Sequence, residues 1–329
     1  MTLKAVLIGA GNIGHAHLQA ISRIEGLSAA AVADISPEKA GQSAAAFDIA
    51  AYTEYRKMLS ELRPDIAIIA LPHFLHRDAA VACMEAGCHV LLEKPMAVSS
   101  AECDDIIACA DRLGRIVLVG HTQQYLPWNL AAKALMRKEA ASLGKLIQIN
   151  DSRYGPYFTE QRPAWFLDRA KSGGGIVANL GAHAVDKIQW LTDSRIRSVR
   201  ANLSFEAPGY PDIEGSASML LMTESGVSCT VNLGGYEGIR KHETELLFTG
   251  GMIRIHYGGG LWISRGGECE RIPVAEETDP YELQLVDLID CIRSGRQPYA
   301  SGRYGKSVVR AIETIYASHA GQCELEVIV

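Results

Sequence analysis

The stretch KAVLIGAGNIG, residues 4–14, decides the fold of this chain. A short aliphatic run, residues 5–8, reads as a parallel strand buried on both faces. Gly9, Gly11 and Gly14 follow it in G-x-G-x-x-G spacing, with Asn12 and Ile13 between them, and an amphipathic stretch comes next. Strand, glycine turn and helix in that order form a dinucleotide-binding element. Gly9 permits the tight turn, Gly11 lets backbone approach a pyrophosphate, and Gly14 lets helix and strand touch. The helix N-terminus then offers free N–H groups and a partial positive charge to the phosphates. Asp34 ends the second aliphatic run, where an acid accepts hydrogen bonds from the adenosine ribose and repels a 2′-phosphate. NAD(H) is therefore expected in preference to NADP(H).

Working outward, the same alternation continues. Aliphatic runs at 28–33, 65–70, 89–92 and 116–119 alternate with amphipathic stretches. Ser36-Pro37 reads as an N-cap with proline at the first helical position, and Ser99 with Glu102 has capping-box spacing. The pattern predicts an α/β chain whose first 122 residues form a Rossmann domain, a doubly wound parallel sheet. After residue 123 it changes. Val227, Cys229, Val231 and Leu233 alternate with Ser228, Thr230 and Asn232, the signature of a half-buried antiparallel strand. Further strands are expected near 145–154, 197–206, 215–223, 242–249, 252–257, 260–264 and 269–273. Two helices close the chain, one from Asp279-Pro280 and one through Val308, Ile312, Ile315 and His319. Residues 123–329 are thus expected to form a second α/β domain on a large, mostly antiparallel open sheet.

Composition sets limits. The chain has 329 residues, 48% hydrophobic and 21% charged, with a formal net charge of −6. It is apolar enough to fold and long enough for two domains. No apolar run approaches the ~20 residues of a membrane span, and the start reads as a strand rather than a signal peptide. Mild acidity without a Lys/Arg cluster argues against nucleic acid and anionic membranes as partners. Eight cysteines lack C-x-x-C or zinc-finger spacing, so no metal is expected and a reducing, cytoplasmic compartment is.

Three further segments make the reading specific. Leu71-Pro72-His73-Phe74-Leu75-His76 follows the third aliphatic run, and Glu93-Lys94-Pro95 follows the fourth. Gly173-Gly174-Gly175 leads through Asn179 and Gly181 to His183. With these in order, essentially the whole chain resembles the GFO/IDH/MocA oxidoreductases, the glucose-fructose oxidoreductase and inositol dehydrogenase group. The resemblance implies NAD as cofactor and a sugar, cyclitol or sugar derivative as substrate. It implies a homodimer or homotetramer through the second domain's sheet. It places Leu71, Pro72, His73, His76, Glu93 and Lys94 near the cofactor, beside the glycine motif.

Lys94 lies just beyond a parallel strand's carboxyl end, where its charge can favour an ionised substrate hydroxyl. An unperturbed imidazole titrates near neutrality, so His183 is the expected proton carrier. On a helix Asn179, His183 and Asp186 share one stripe, while Val177, Ala184, Ile188 and Leu191 line the other side. Asn179, Gln124, Tyr154, Arg162 and Trp165 are the remaining candidates for substrate contact. The loop from Arg153 to Gly173 has two open readings, a sugar-binding surface or internal packing. The chain departs from the family pattern at three places. Asn179 stands where relatives often carry Asp, Gln124 where they often carry Arg, and His73 where Asn is common. An amide cannot accept a proton at neutral pH, which puts more of the transfer on His183 and Lys94. An NAD-dependent glycosidase acting by transient oxidation, or a dinucleotide-binding regulator without turnover, remains the alternative.

Overall fold

The computed structural model describes residues 2–275 and 279–328. The strands are β1 Leu3–Ile8, β2 Leu27–Ala33, β3 Ala50–Tyr52, β4 Ile66–Ile69, β5 His89–Glu93, β6 Val117–Gly120, β7 Leu146–Tyr154, β8 Ile196–Ser204, β9 Ser216–Thr223, β10 Ser228–Gly234, β11 Lys241–Phe248, β12 Gly251–His256, β13 Gly260–Arg265, β14 Glu268–Ile272 and β15 Leu325–Glu326. The α-helices are α1 Asn12–Ile21, α2 Pro37–Phe47, α3 Tyr55–Leu62, α4 His76–Glu85, α5 Ser100–Leu113, α6 Pro127–Lys138, α7 Ala140–Leu143, α8 Arg169–Ser172, α9 Ala182–Thr192, α10 Pro280–Ser294 and α11 Gly302–Gly321. The chain divides into two units, one reaching Thr122 and including Asp279–Lys306, the other from Gln123 and including the residues after 306.

In the first unit six parallel strands lie in the order β3-β2-β1-β4-β5-β6. Ala5–Ile8 and Ile66–Ile69 are wholly buried, because helices cover both faces of a parallel sheet. The strand order reverses between β1 and β4, the switch point where open α/β sheets bind ligands beyond their carboxyl ends. Helix starts follow local chemistry. Ser36 Oγ accepts from Lys39 N at 3.3 Å, and Ser99 Oγ accepts from Glu102 N at 3.3 Å. The second capping box is only half built, since the Glu102 carboxylate accepts from Val98 N instead of Ser99 N.

A continuous second domain over 123–329 is corrected here. Helix α10 returns to the first unit, where Leu285, Leu288, Ile289 and Cys291 join one core with Leu7, Leu18 and Ile68. Its apolar stripe is complementary to α1, and no local sequence signal tells which sheet such a stripe will cover. Strand β3 and strand β15 were also unforeseen; at three and two residues they carry no readable period.

In the second unit nine strands lie in the order β14-β13-β12-β11-β7-β10-β9-β8-β15. All neighbours are antiparallel except β7 and β10. Alternation gives the sheet two characters. Ile149, Val231, Leu221 and Leu246 are buried on the face toward α9, whereas Asn150 and Thr230 hydrogen-bond each other on the other face and Leu220 is 49% exposed there. Among the described residues no helix is long and apolar enough to cross a membrane.

Because Leu288 is fully buried in the first unit's core, Leu288→Ala should cost about 2–5 kcal/mol in urea unfolding. A cost below about 1 kcal/mol would mean that α10 is not part of that core.

Candidate active site

The first unit gathers its candidates at the carboxyl ends of β1, β2, β4 and β5. Gly9 has φ +101°, and a Cβ there would lie 2.3 Å from Ala70 O. A Cβ on Gly14 would lie 2.1 Å from Gly9 O, so helix and strand touch as the motif requires. At Gly11 a Cβ would meet nothing within 4 Å, and no side chain caps the N-terminus of α1. Open space in front of uncapped N–H groups fits a dinucleotide pyrophosphate. Asp34 completes this cradle. Its Oδ2 accepts from Ala10 N at 2.9 Å and its Oδ1 from Ser36 N at 2.9 Å, which ties the end of β2 to the glycine turn. Each carboxylate oxygen keeps a further lone pair for a ribose hydroxyl.

His76 takes a different place from the one expected. It is fully buried, with Nδ1 2.9 Å from Pro95 O and Nε2 2.8 Å from Leu71 O. It cross-links the two loops after β4 and β5 and has no surface for a cofactor. Burial pushes its pKa down, against the opposing pull of the Leu71 and Pro95 carbonyls. His73 is buried beside it, the two ring centroids 5.7 Å apart. Leu71 and Pro72 form the turn that His76 anchors. Glu93 Oε1 lies 2.8 Å from Nε2 of buried His17, whose ring meets Tyr281 of α10 edge-on. Glu93 thus braces the end of β5 against α1, and Lys94 follows half-buried, joined to Pro95 by a cis peptide bond.

The second unit builds its candidates on one segment. Gly173 ends α8, and Gly174 and Gly175 press against the chain around Glu214. A Cβ on Gly174 would lie 1.8 Å from Tyr316 Oη, and one on Gly175 would lie 2.5 Å from Glu214 O. This closeness lets the buried Glu214 carboxylate accept from Gly175 N at 2.9 Å, Val177 N at 2.8 Å and Tyr316 Oη at 2.7 Å. Burial and the Glu214 charge push the Tyr316 hydroxyl well above its ordinary value, so it stays a donor. Glu214 is the important residue that sequence reasoning missed. Its only signal is a helix start without a local cap, answered 39 residues later.

From that cap the chain makes a π-helical turn, Val177–Gly181, and runs straight into α9. The π turn widens the spacing between Asn179 and His183, a feature common at functional sites. The stripe shared by Asn179, His183 and Asp186 is largely covered. Asn179 is 9% exposed and Asp186 fully buried, accepting from Gln124 Nε2 at 2.8 Å. Gln124, itself buried, therefore braces Asp186 and has no open surface for substrate. Spacing names the face of a helix but not how much covers it. Within Ala182–Leu191 every residue is buried except His183.

The strands beneath hold α9 with a buried ion pair. Lys187, one turn after His183, places Nζ 2.5 Å from Asp151 Oδ1 and 2.7 Å from Thr244 Oγ1, and Thr244 donates to Asp151 at 2.6 Å. Burial pushes the Lys187 ammonium down, but Asp151 and Tyr257 raise it further, so it stays charged. Tyr257 stacks on His242 at 3.8 Å and donates to Asn129 Oδ1 at 2.5 Å. Burial, with the charges of Lys187 and Arg153, pushes His242 down to about 3.

The loop after β7 packs on itself. Arg162 lies 3.8 Å over the Tyr157 ring and donates to the Tyr157 carbonyl, and Trp165 stacks on Phe166 at 3.9 Å. Tyr157 is buried, which pushes its hydroxyl up to about 12 against the opposing effects of Arg162 and Asn179. The packing reading of this loop is thus the one its geometry favours. Tyr154 departs from expectation too. It is one residue out of phase with Asp151, so it lies 39% exposed on the sheet face away from α9. Among the described residues no group of three or more His, Cys, Asp and Glu is arranged to hold a metal ion.

Comparison with known proteins agrees with this anatomy. Residues 3–121 match the oxidoreductase family with NAD-binding Rossmann fold, and residues 130–254 match the GFO/IDH/MocA C-terminal domain. The chain belongs to the GFO/IDH/MocA family of NAD-binding oxidoreductases. It is 30% identical over 207 residues to a 1-carboxy-3-chloro-3,4-dihydroxycyclohexa-1,5-diene dehydrogenase of Comamonas testosteroni, covering 63% of this chain and about half (51%) of that one. It is 26% identical to an inositol 2-dehydrogenase of Salmonella typhimurium, covering 71% of this chain and 67% of that one. An aldose-aldose oxidoreductase from Caulobacter crescentus, solved with glycerol, has the same fold with TM-score 0.90, 23% identity, and coverage of 99% and 100%.

Two outcomes follow from the second unit. Glu214→Ala leaves two N–H groups and a hydroxyl buried without their acceptor, and should cost about 3 kcal/mol or more in urea unfolding, with Glu214→Gln recovering part. His242 is neutral when folded, about 3 against 6.5 unfolded, so below pH 6.5 the unfolded chain binds the extra proton. Stability should fall as pH drops from 6.5 toward 3, and His242→Gln should flatten that slope in melting curves across the window.

Proposed function

We propose that this protein is an NAD(H)-dependent dehydrogenase acting on a ring secondary alcohol of a sugar, cyclitol or related derivative. The observation that carries the reading is His183. It is the one accessible residue within Ala182–Leu191, and it is the residue type suited to proton transfer at neutral pH. The two relatives support the substrate class, since both names describe hydroxylated six-membered carbon rings.

His183 takes the proton of the substrate hydroxyl. Lys94, half-buried at the end of β5, stabilises the developing alkoxide by charge and hydrogen bonding. Asn179 donates or accepts a hydrogen bond from a neighbouring hydroxyl but moves no proton. Glu214, Asp186 and Lys187 touch no reacting atom and hold the backbone that carries His183. Bound NAD⁺ supplies the hydride acceptor. Gly9, Gly11, Asn12, Ile13 and Gly14 hold its pyrophosphate, and Asp34 disfavours the 2′-phosphate of NADP(H). Arg162 and Trp165 shape the loop rather than grip the substrate. The open face of the nine-stranded sheet is the proposed contact between copies in a homodimer or homotetramer.

Lys94→Ala and His183→Asn should each lower kcat by about 100-fold or more while NADH affinity stays within about threefold. Undiminished turnover in either variant would remove that residue from the reaction. Loss of NADH binding as well would make its role one of cofactor attachment.

A further inference from the structure

The second unit contains a half-buried guanidinium whose charge is unmatched. Arg153 sits on β7 two residues after Asp151, so the two side chains leave the same face of the sheet, the face covered by α9. Among the described residues the Arg153 guanidinium makes no hydrogen bond or ion pair. Asp151, the nearby carboxylate, is already held by Lys187 and Thr244. Lys187 and Arg153 therefore both face the Asp151 carboxylate. An unmatched charge withdrawn from water is costly, and a fold keeps one where a ligand supplies the missing partner.

The register shows where Arg153 lies along α9. Lys187 stands over Asp151. Ile176, at the start of the same segment, lies beside Gly235 and Tyr157, beyond the end of β7. The helix thus runs opposite to β7. Four helical residues from Lys187 back to His183 rise about 6 Å. Two strand residues from Asp151 to Arg153 rise nearly as far, about 6.7 Å. Arg153 and His183 therefore stand at the same level on the same side of the sheet. His242, paired in register with Arg153, is neutral and stacked flat on Tyr257, so it does not neutralise the guanidinium.

We propose that Arg153 binds a carboxylate on the substrate, making this a dehydrogenase of carboxylated ring or sugar alcohols, such as sugar acids. A guanidinium offers a planar fork that matches a carboxylate with two parallel hydrogen bonds. One unmatched positive charge suits a monoanion better than a dianionic phosphate. Arg162, a basic candidate for substrate contact in the sequence, is engaged by Tyr157. The inference rests on His183 facing the reacting hydroxyl, and it adds which further group the substrate carries.

The test is a set of calorimetric titrations with and without NADH. The probes are glucuronate, galacturonate and gluconate, with glucose, galactose and myo-inositol as neutral counterparts and glucose 6-phosphate as the dianion. Wild type, Arg153→Met and Arg153→Lys are compared, each checked for an unchanged melting profile. At least one acid should bind wild type about tenfold or more tightly than its neutral counterpart. Arg153→Met should abolish that preference and Arg153→Lys should keep part of it; if Arg153→Met folds poorly, loss of most of the preference in Arg153→Lys gives the same answer. Absence of acid binding, equal binding of neutral compounds, preference for the phosphate, or a preference that survives both substitutions overturns the proposal. Oxidation of neutral sugars without acid preference would overturn it while the dehydrogenase reading stands. Acid preference without NADH binding would do the reverse.

Discussion

A helix that begins without a side-chain cap leaves N–H groups that something must satisfy, and this molecule answers that constraint in two opposite ways. At α1, Gly11 offers no cap and open space lies before it, which suits a dinucleotide phosphate. At the segment entering α9, Gly174 and Gly175 bring the chain so close to Tyr316 and Glu214 that a buried carboxylate takes the N–H groups instead. The first arrangement leaves a binding place. The second ties down the backbone that leads to Asn179 and His183.

That fixed segment is then held along its length. Gln124 grips Asp186, and Lys187 reaches down to Asp151 and Thr244 on the central strands. A buried ion pair adds little net stability compared with well-packed apolar residues, because both charges lose their water. Its effect here is geometric, since the lysine can satisfy its donors at one rotation of the helix. With every neighbour buried, His183 alone of the stretch Ala182–Leu191 keeps access to solvent. A stiff mounting of this kind suits a group that must exchange a proton with a positioned hydroxyl.

Much of the fold was legible in the chain, for local reasons. Aliphatic runs and period-two alternation are written in consecutive residues, so the parallel sheet and eight strands of the second sheet were readable. What escaped depends on residues far apart. The return of α10 to the first unit is a matter of which sheet its stripe meets. Asp186 lies on the stripe that its spacing indicates, but burial makes it, His76 and Gln124 braces. Tyr154 fell on the wrong side because a loop reading ignores the phase of the strand leading into it. Glu214 has no local signature, and Arg153 looked like the start of a loop until strand register placed it beside Asp151. The glycine motif, Lys94 and His183 were visible because their chemistry needs a particular residue type beside a recognisable turn.

The proposed reaction is net oxidation of a secondary alcohol at the expense of NAD⁺. It is tested most directly by following NADH absorbance when the purified protein and NAD⁺ meet a panel of sugars, cyclitols and sugar acids. A dehydrogenase should accumulate NADH steadily with at least one of them, and none when NAD⁺ is omitted. Release of an aglycone from glycosides with no NADH accumulating on any alcohol would contradict it, and would make the protein a glycosidase that only borrows the hydride.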